Sequence, residues 1–312
     1  MNTSANNSPS VPTAAPASPH IIPTKTLLYW SVRRELWEHR SIMLVPLVAA
    51  GLALIGMLIS VFRLPASMRA TLAQAVDQQS SALATPYRAV AGMLIMISFF
   101  IAVFYCLDSL YGERRERGVL FWKSLPVSDW VTVLSKASIP MVVLPLYIFI
   151  VILALQLCML LLSTVVVLVK GLSVAMLWAN VPLLQMTVVM FYGIAVNVLW
   201  AAPIYSWLLL VSAWARRAPF LWAVLPPLAI CFVEWIATGK SFFGHVLNYR
   251  FFGAMSEAFN VRPQASPVPN IDRLSQLDPV KFFTSPGLWL GLLFAAACLA
   301  AAVWLRRNRE PL

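Results

Sequence analysis

Six long apolar runs constrain this chain more than any other feature: Ser41–Phe62, Val90–Leu107, Ile139–Val169, Pro182–Ala213, Phe220–Thr238 and Pro286–Leu305. A helix needs about 20 residues to cross a ~30 Å hydrocarbon layer, so each run reads as one crossing. The third and fourth runs are the longest, which requires them to tilt, to kink at Pro145 or Pro203, or to continue beyond the bilayer. Apolar residues make up 60% of the chain and charged residues 11%, more apolar surface than a soluble domain of 312 residues can hide. The expected fold is an all-α membrane protein whose six transmembrane helices occupy residues 41–305.

Numbering the runs alternately from an inside N-terminus places Met1–Arg40, Asp108–Ser138, Trp214–Pro219 and Arg306–Leu312 on the cytoplasmic side, where they hold 14 of the 23 lysines and arginines. The positive-inside rule then expects both termini in the cytoplasm. Arg216, Arg217, Arg306, Arg307 and Arg309 read as charges that snorkel to the interface and anchor this orientation. The net charge of +11 sits beside the apolar runs and forms no separate basic domain, which points to anionic lipid headgroups and away from nucleic acid. Cys106, Cys158, Cys231 and Cys298 all lie in or at the edge of apolar runs, as small hydrophobes do, and suggest neither a disulfide nor a metal site. Residues 1–24 are rich in Ser, Asn, Pro and Ala, lack the basic and apolar regions of a secretory signal, and are expected to form a disordered cytoplasmic tail. Residues 306–312 form a short cytoplasmic C-terminal tail.

Ahead of the first run, residues 25–40 carry Leu28, Val32 and Leu36 at four-residue intervals, with Arg33, Arg34, Glu35 and Glu38 on other faces. Tyr29, Trp30 and Trp37 add aromatic surface suited to the headgroup layer. This pattern predicts an amphipathic helix lying on the inner membrane face, helped by four-residue pairs from Arg34 to Glu38 and from Glu35 to His39.

The connection between the second and third runs is the most informative stretch. Its first half is densely charged, whereas Val119–Leu125 is largely apolar and aromatic although the topology places it in or beside water, as a protein interface would be. Gly118 and Pro126 interrupt any continuous helix, and Ser128 is placed to N-cap a new helix leading into the third run. A short helix roughly parallel to the membrane, hung between two spans, is the result expected.

The run DSLYGERRERGVLFWKSLPVSDWVTVLSK, Asp108–Lys136, resembles the corresponding loop of bacterial ABC-2 type transporter permeases. In that family an acidic residue, a Tyr, a charged Glu/Arg tract and LFWKSLPVSD recur between the second and third of six spans. The resemblance implies a cytoplasmic coupling helix that docks on a separate ABC ATPase subunit, a second permease subunit, identical or not, and a bacterial inner membrane location. Carried onto this chain, it gives Glu113, Arg114, Arg115, Arg117 and Lys123 as polar contacts to the ATPase. Leu120, Phe121, Trp122 and Leu125 would fill a groove on that partner. It implies export rather than import and says nothing of the substrate.

The chain carries no constellation of its own for powering transport or for catalysis. Gly239-Lys240-Ser241 lacks the glycine that a phosphate-binding loop needs five residues earlier, where Glu234 stands. His20, His39 and His245 begin no zinc-protease pattern, and no G-x-S-x-G nucleophile elbow occurs. The chain therefore reads as a non-enzyme with no cofactor of its own, ATP being hydrolysed by the partner. Glu234 stands alone as an ionisable residue within a run; it either snorkels or bonds a neighbouring helix, or it serves the substrate path or its gating. Gly287, Gly291 and Ala295, continued by Cys298 and Ala302, form a narrow small-residue face for helix packing within the subunit or for a dimer seam. Between Gly239 and Ser285, the first part carries Phe242, Phe243, Val246, Leu247, Phe251 and Phe252 at helical spacing, and Arg262–Asp278 reads as irregular. A membrane scaffold or sensor subunit and an ion-coupled secondary transporter are the competing readings. No repeat relates the first three spans to the last three, which weakens the second of these.

Overall fold

The computed structural model describes residues 23–61, 76–115, 128–169, 171, 174–260 and 274–308. In chain order the helices are α1 (Thr24–Glu38), α2 (Ser41–Val61), α3 (Val76–Arg115), α4 (Asp129–Ser138), α5 (Leu144–Val169), α6 (Val174–Asn180), α7 (Leu183–Trp214), α8 (Pro219–Thr238), α9 (Phe242–Ala258), α10 (Pro279–Thr284) and α11 (Pro286–Asn308). The described residues are helical apart from short connections, one 3₁₀ turn at Leu274–Gln276 and a single antiparallel bridge between Phe259 and Leu277. Among the described residues, six helical stretches are long and apolar enough to cross a membrane: Ser41–Ser60, Ala84–Arg115, Asp129–Val169, Leu177–Trp214, Pro219–Thr238 and Pro286–Asn308.

These stretches coincide with the six apolar runs. The first ends slightly short of its run, and each of the others is longer than its run. The second extends well past Val90–Leu107 at both ends, because a helix continues through polar and charged residues once its backbone ladder is established. The third begins at Asp129, with Ser128 accepting a hydrogen bond from the Val131 amide, as its capping position predicts.

The expected irregularity of the third span falls at Pro140 and not at Pro145. Residues Ile139–Val143 form a π-helical turn, in which the Leu144 amide reaches back five residues to the Ile139 carbonyl. Pro140 has no N–H to give the carbonyl four residues before it, so the ladder changes spacing there. Pro203 sits inside the continuous helix α7, where Ser206 Oγ donates to the Ala202 and Pro203 carbonyls.

Helix α7 is the centre of the bundle, with Trp200, Tyr205, Leu208, Leu209 and Val211 among its many buried residues, whereas α8 lies at the periphery with only Ala223 buried. It packs against α11 and α3, while α5 packs against α2 and α3. Buried Leu94, Ile148, Ile152, Leu160 and Leu209 belong to one core shared by α3, α5 and α7. Toward one end of this core Tyr87 and Ser163 hydrogen-bond at 3.3 Å, and Gln156 donates to the Tyr87 carbonyl, so polar side chains tie α3 to α5 inside the bundle.

Helix α1 forms where it was expected, but its buried side is mixed. Val32 and Leu36 pack against the core, and Glu35, expected on another face, is buried beside them. Tyr29, Trp30 and Trp37 are exposed, and the Arg33 guanidinium stacks on Trp30 and Trp37 at 5.2 and 5.9 Å.

Candidate functional site

At one end of the bundle, charged residues from four helices converge on a buried ion cluster. Lys136 lies at its centre, with its Nζ 2.8 Å from Glu35 Oε1 and 3.1 Å from Glu113 Oε1. The side chains of Lys136 and Glu35 are 1% and 2% exposed, so both charges are removed from water and depend on each other. Arg306 Nη1 reaches Glu113 Oε2 at 2.6 Å, and its Nε reaches Asp129 Oδ1 at 3.0 Å. Arg34 closes the ring, 3.3 Å from Glu113 and 2.8 Å from Glu38. The Tyr105 hydroxyl donates to Glu35 Oε2 at 3.0 Å, and the His39 ring stands edge-on to Tyr105.

Local sequence explains how each helix delivers its charge. Asp129 and Lys136 are seven residues apart on a helix started by Ser128, so two turns place them on one face. Tyr105, Ser109 and Glu113 follow one another at four-residue steps along α3, forming a polar stripe at the end of an apolar span. Alternating signs let the carboxylates of Glu35, Glu113 and Asp129 each meet a cation, and in this low-dielectric setting each such hydrogen bond is stronger than at a surface. Arg306 was expected to snorkel; instead it is 11% exposed and bridges α11 to α3 and α4.

A second set of contacts fastens the same end of α3 to α7. Ser212 Oγ donates to the Leu107 carbonyl at 2.8 Å and accepts from the Leu110 and Tyr111 amides at 3.2 and 2.9 Å, inserting a hydroxyl into the α3 ladder. Arg114 Nη2 donates to the Ser212 and Ala215 carbonyls at 2.7 and 2.6 Å, satisfying the orphan acceptors where α7 ends. Replacing Ser212 with alanine should cost about 1 kcal/mol, since the Leu107 carbonyl loses a donor and the Leu110 and Tyr111 amides lose a side-chain acceptor. Thermal unfolding of the lipid-reconstituted chain would check this.

The interface residues expected from sequence therefore divide. Glu113 and Arg114 turn inward and make their polar contacts within the chain, whereas Arg115 is exposed. Arg117, Leu120, Phe121, Trp122, Lys123 and Leu125, and the stretch expected to form a coupling helix, lie outside the described residues. Glu35, Tyr105, Asp129, Lys136 and Ser212 join the site; Asp129 and Lys136 fall within the Asp108–Lys136 run but were not singled out in it, and no motif marks the other three. The one signal pointing to them is the position of Lys136 and Glu35 at the margins of apolar stretches, where an unpaired charge would be costly. A recess of about 430 Å³ lies against the cluster, lined by Leu27, Trp30, Ser31, Thr132 and Ser135 together with its charged groups.

Elsewhere the remaining candidates have structural partners. Glu234 Oε2 accepts a hydrogen bond from the Phe243 amide at 2.8 Å, so the carboxylate holds the first turn of α9. Gly239-Lys240-Ser241 is the corner between α8 and α9: Gly239 ends α8 at φ 67°, and Ser241 N-caps α9 by accepting from the Gly244 amide. Gly287, Gly291 and Ala295 face inward. Arg250 of α9 lies over Gly291, donates to the Gly287 carbonyl at 2.7 Å and stacks 4.6 Å from the Trp200 ring. Among the described residues no group of three His, Cys, Asp or Glu side chains converges to hold a metal. No family model matches the chain, and neither a curated protein nor a solved structure matches it.

Proposed function

We propose that the chain is the transmembrane permease subunit of an ATP-binding-cassette export complex of the ABC-2 type, contributing to the substrate path and coupled to a separate ATPase. One observation supports this beyond the six apolar helices and the resemblance of Asp108–Lys136. The ion cluster ties residues on both sides of the candidate coupling segment, Glu113 before it and Asp129 and Lys136 after it, to α1 and α11. A push on that segment would reach four helices through short, buried, charge-assisted contacts instead of being absorbed by a loose loop. Differential docking of the ATPase in its two nucleotide states would bias the bundle between two arrangements. In this reading the cluster faces the cytoplasm of a bacterial inner membrane, α1 lies along the membrane surface, Arg115 contacts the ATPase, and a second permease subunit completes the path.

The test is affinity purification in mild detergent, comparing wild type with Trp122→Ala and Arg115→Glu. A soluble ATPase that copurifies with wild type and is lost or depleted in both variants supports coupling through this segment. A chain that purifies alone under lipid-preserving conditions overturns the reading and favours a scaffold, sensor or secondary transporter.

A further inference from the structure

The third span is two helices in one: α4 carries Asp129 and Lys136 to the ion cluster, α5 packs Leu144, Ile148 and Ile152 into the core, and the π-helical turn Ile139–Val143 joins them. Exposure shows which way each helix faces. Trp130 and Leu134 are exposed on α4, and Leu146 and Ile150 on α5. Lys136 and Ile148 are buried, each 1% exposed.

Leu134 and Leu146 are twelve positions apart, and so are Lys136 and Ile148. An α-helix turns about 100° per residue, so on an unbroken helix the members of each pair would stand about 120° apart around the axis. A π turn closes on the fifth residue instead of the fourth, with the Leu144 amide bonded to the Ile139 carbonyl, and so takes up one extra residue. Eleven effective steps bring each pair to within about 20°. The outer sides of α4 and α5 then form one exposed stripe, and Lys136 comes into line with the packed face of α5. Wound as regular helix with α5 kept in place, the same residues would roll α4 by about 100°, swinging Trp130 inward and taking Lys136 away from Glu35 and Glu113.

We propose that the π turn is a positioning device for the ion cluster: it absorbs one surplus residue of the third span, so that α4 presents Lys136 to Glu35 and Glu113, and Asp129 to Arg306, while α5 keeps its packed face. Pro140 favours the wide turn, because it offers no amide and its ring would crowd the Lys136 carbonyl in a regular helix. Turn and cluster support each other, since rolling α4 out of this register would separate two buried charges, Lys136 and Glu35. The inference rests on the packing of the third span and stands independently of the transport function proposed above.

Single-residue deletions test the device, because removing the surplus residue should leave both helices in register and removing one elsewhere should not. Val142 in the turn and Ile150 in α5 are both exposed, so neither deletion takes a side chain from the core. Both are made in a Pro140→Ala background, since a proline left inside a regular helix destabilises it. The Val142 deletion should unfold in nanodiscs at a Tm near that of Pro140→Ala. The Ile150 deletion turns either α4 or the stretch with Leu144 and Ile148 out of register, and its Tm should be lower by about 10 °C or more. The energetic coupling between Lys136→Met and Glu35→Gln should survive the Val142 deletion, which reports on the cluster itself and not on general packing. Equal destabilisation by the two deletions, or loss of that coupling when Val142 is removed, overturns the proposal. If Pro140→Ala does not fold, the same deletions in the wild-type chain decide the matter: the Val142 deletion must be the more stable of the two.

Discussion

Replacing Lys136 with methionine should destabilise the folded chain by about 3–5 kcal/mol, the cost of removing one partner from a buried pair and leaving the other charge uncompensated. Among the described residues, Lys136 alone touches both Glu35 and Glu113 at 3.1 Å or less. Without it, Glu113 keeps Arg306, but Glu35 retains the Tyr105 hydroxyl at 3.0 Å and Arg34 only at 3.7 Å. Glu35 is therefore the residue most affected by the loss. The double variant Lys136→Met, Glu35→Gln should recover a large share of that stability, since the orphaned charge is gone. Thermal unfolding in nanodiscs of wild type, both single variants and the double variant measures the coupling directly. Additive effects of the two substitutions would mean that the pair is not energetically linked.

Gly291→Val should be the second severe change, at about 1–3 kcal/mol from overpacking. A Cβ at this position would lie 2.8 Å from Arg250 Cζ, and the guanidinium has little room to retreat. It is held by the Gly287 carbonyl at 2.7 Å and by the face of Trp200, whose own Nε1 donates to the Arg250 carbonyl at 2.8 Å. Moving Arg250 would break the junction of α7, α9 and α11 and leave a partly buried cation without its acceptors. Gly51→Ala is the matched control, since a Cβ added at Gly51 would meet nothing within 4 Å among the described residues, and it should be neutral or slightly stabilising through helix propensity. Unfolding temperatures of the two variants should differ in sign or nearly so. Because the Gly287, Gly291 and Ala295 face is covered within the chain, Gly291→Val should leave oligomeric state unchanged, and size-exclusion chromatography with light scattering would show this. A change of oligomer with unaltered stability would instead make that face a seam between copies.

The six spans, the cap at Ser128 and the helix in α9 were legible because each depends on residues near in the chain. In a membrane every backbone donor and acceptor must be satisfied within its own helix, so a long apolar run nearly dictates both helix and crossing. Capping is equally local: Ser128 and Ser241 each bond an amide three residues on. The pairing of charges is a different kind of fact. Lys136 meets Glu35 across 101 positions and Arg306 meets Glu113 across 193, and no periodicity within one helix encodes which helices will be neighbours. Sequence could place Arg306, Glu113 and Glu35 beside apolar runs, where exposed and buried charges look alike; only the packing of α1, α3, α4 and α11 decided that they face one another. The small face of α11 was visible as a spacing, yet its occupant, Arg250, comes from another helix, 37 residues away from the Gly287 carbonyl it bonds. Local hydrogen bonding and hydropathy thus determined the helices, and the tertiary contacts determined the site, because burial of a charge is settled by what stands opposite it.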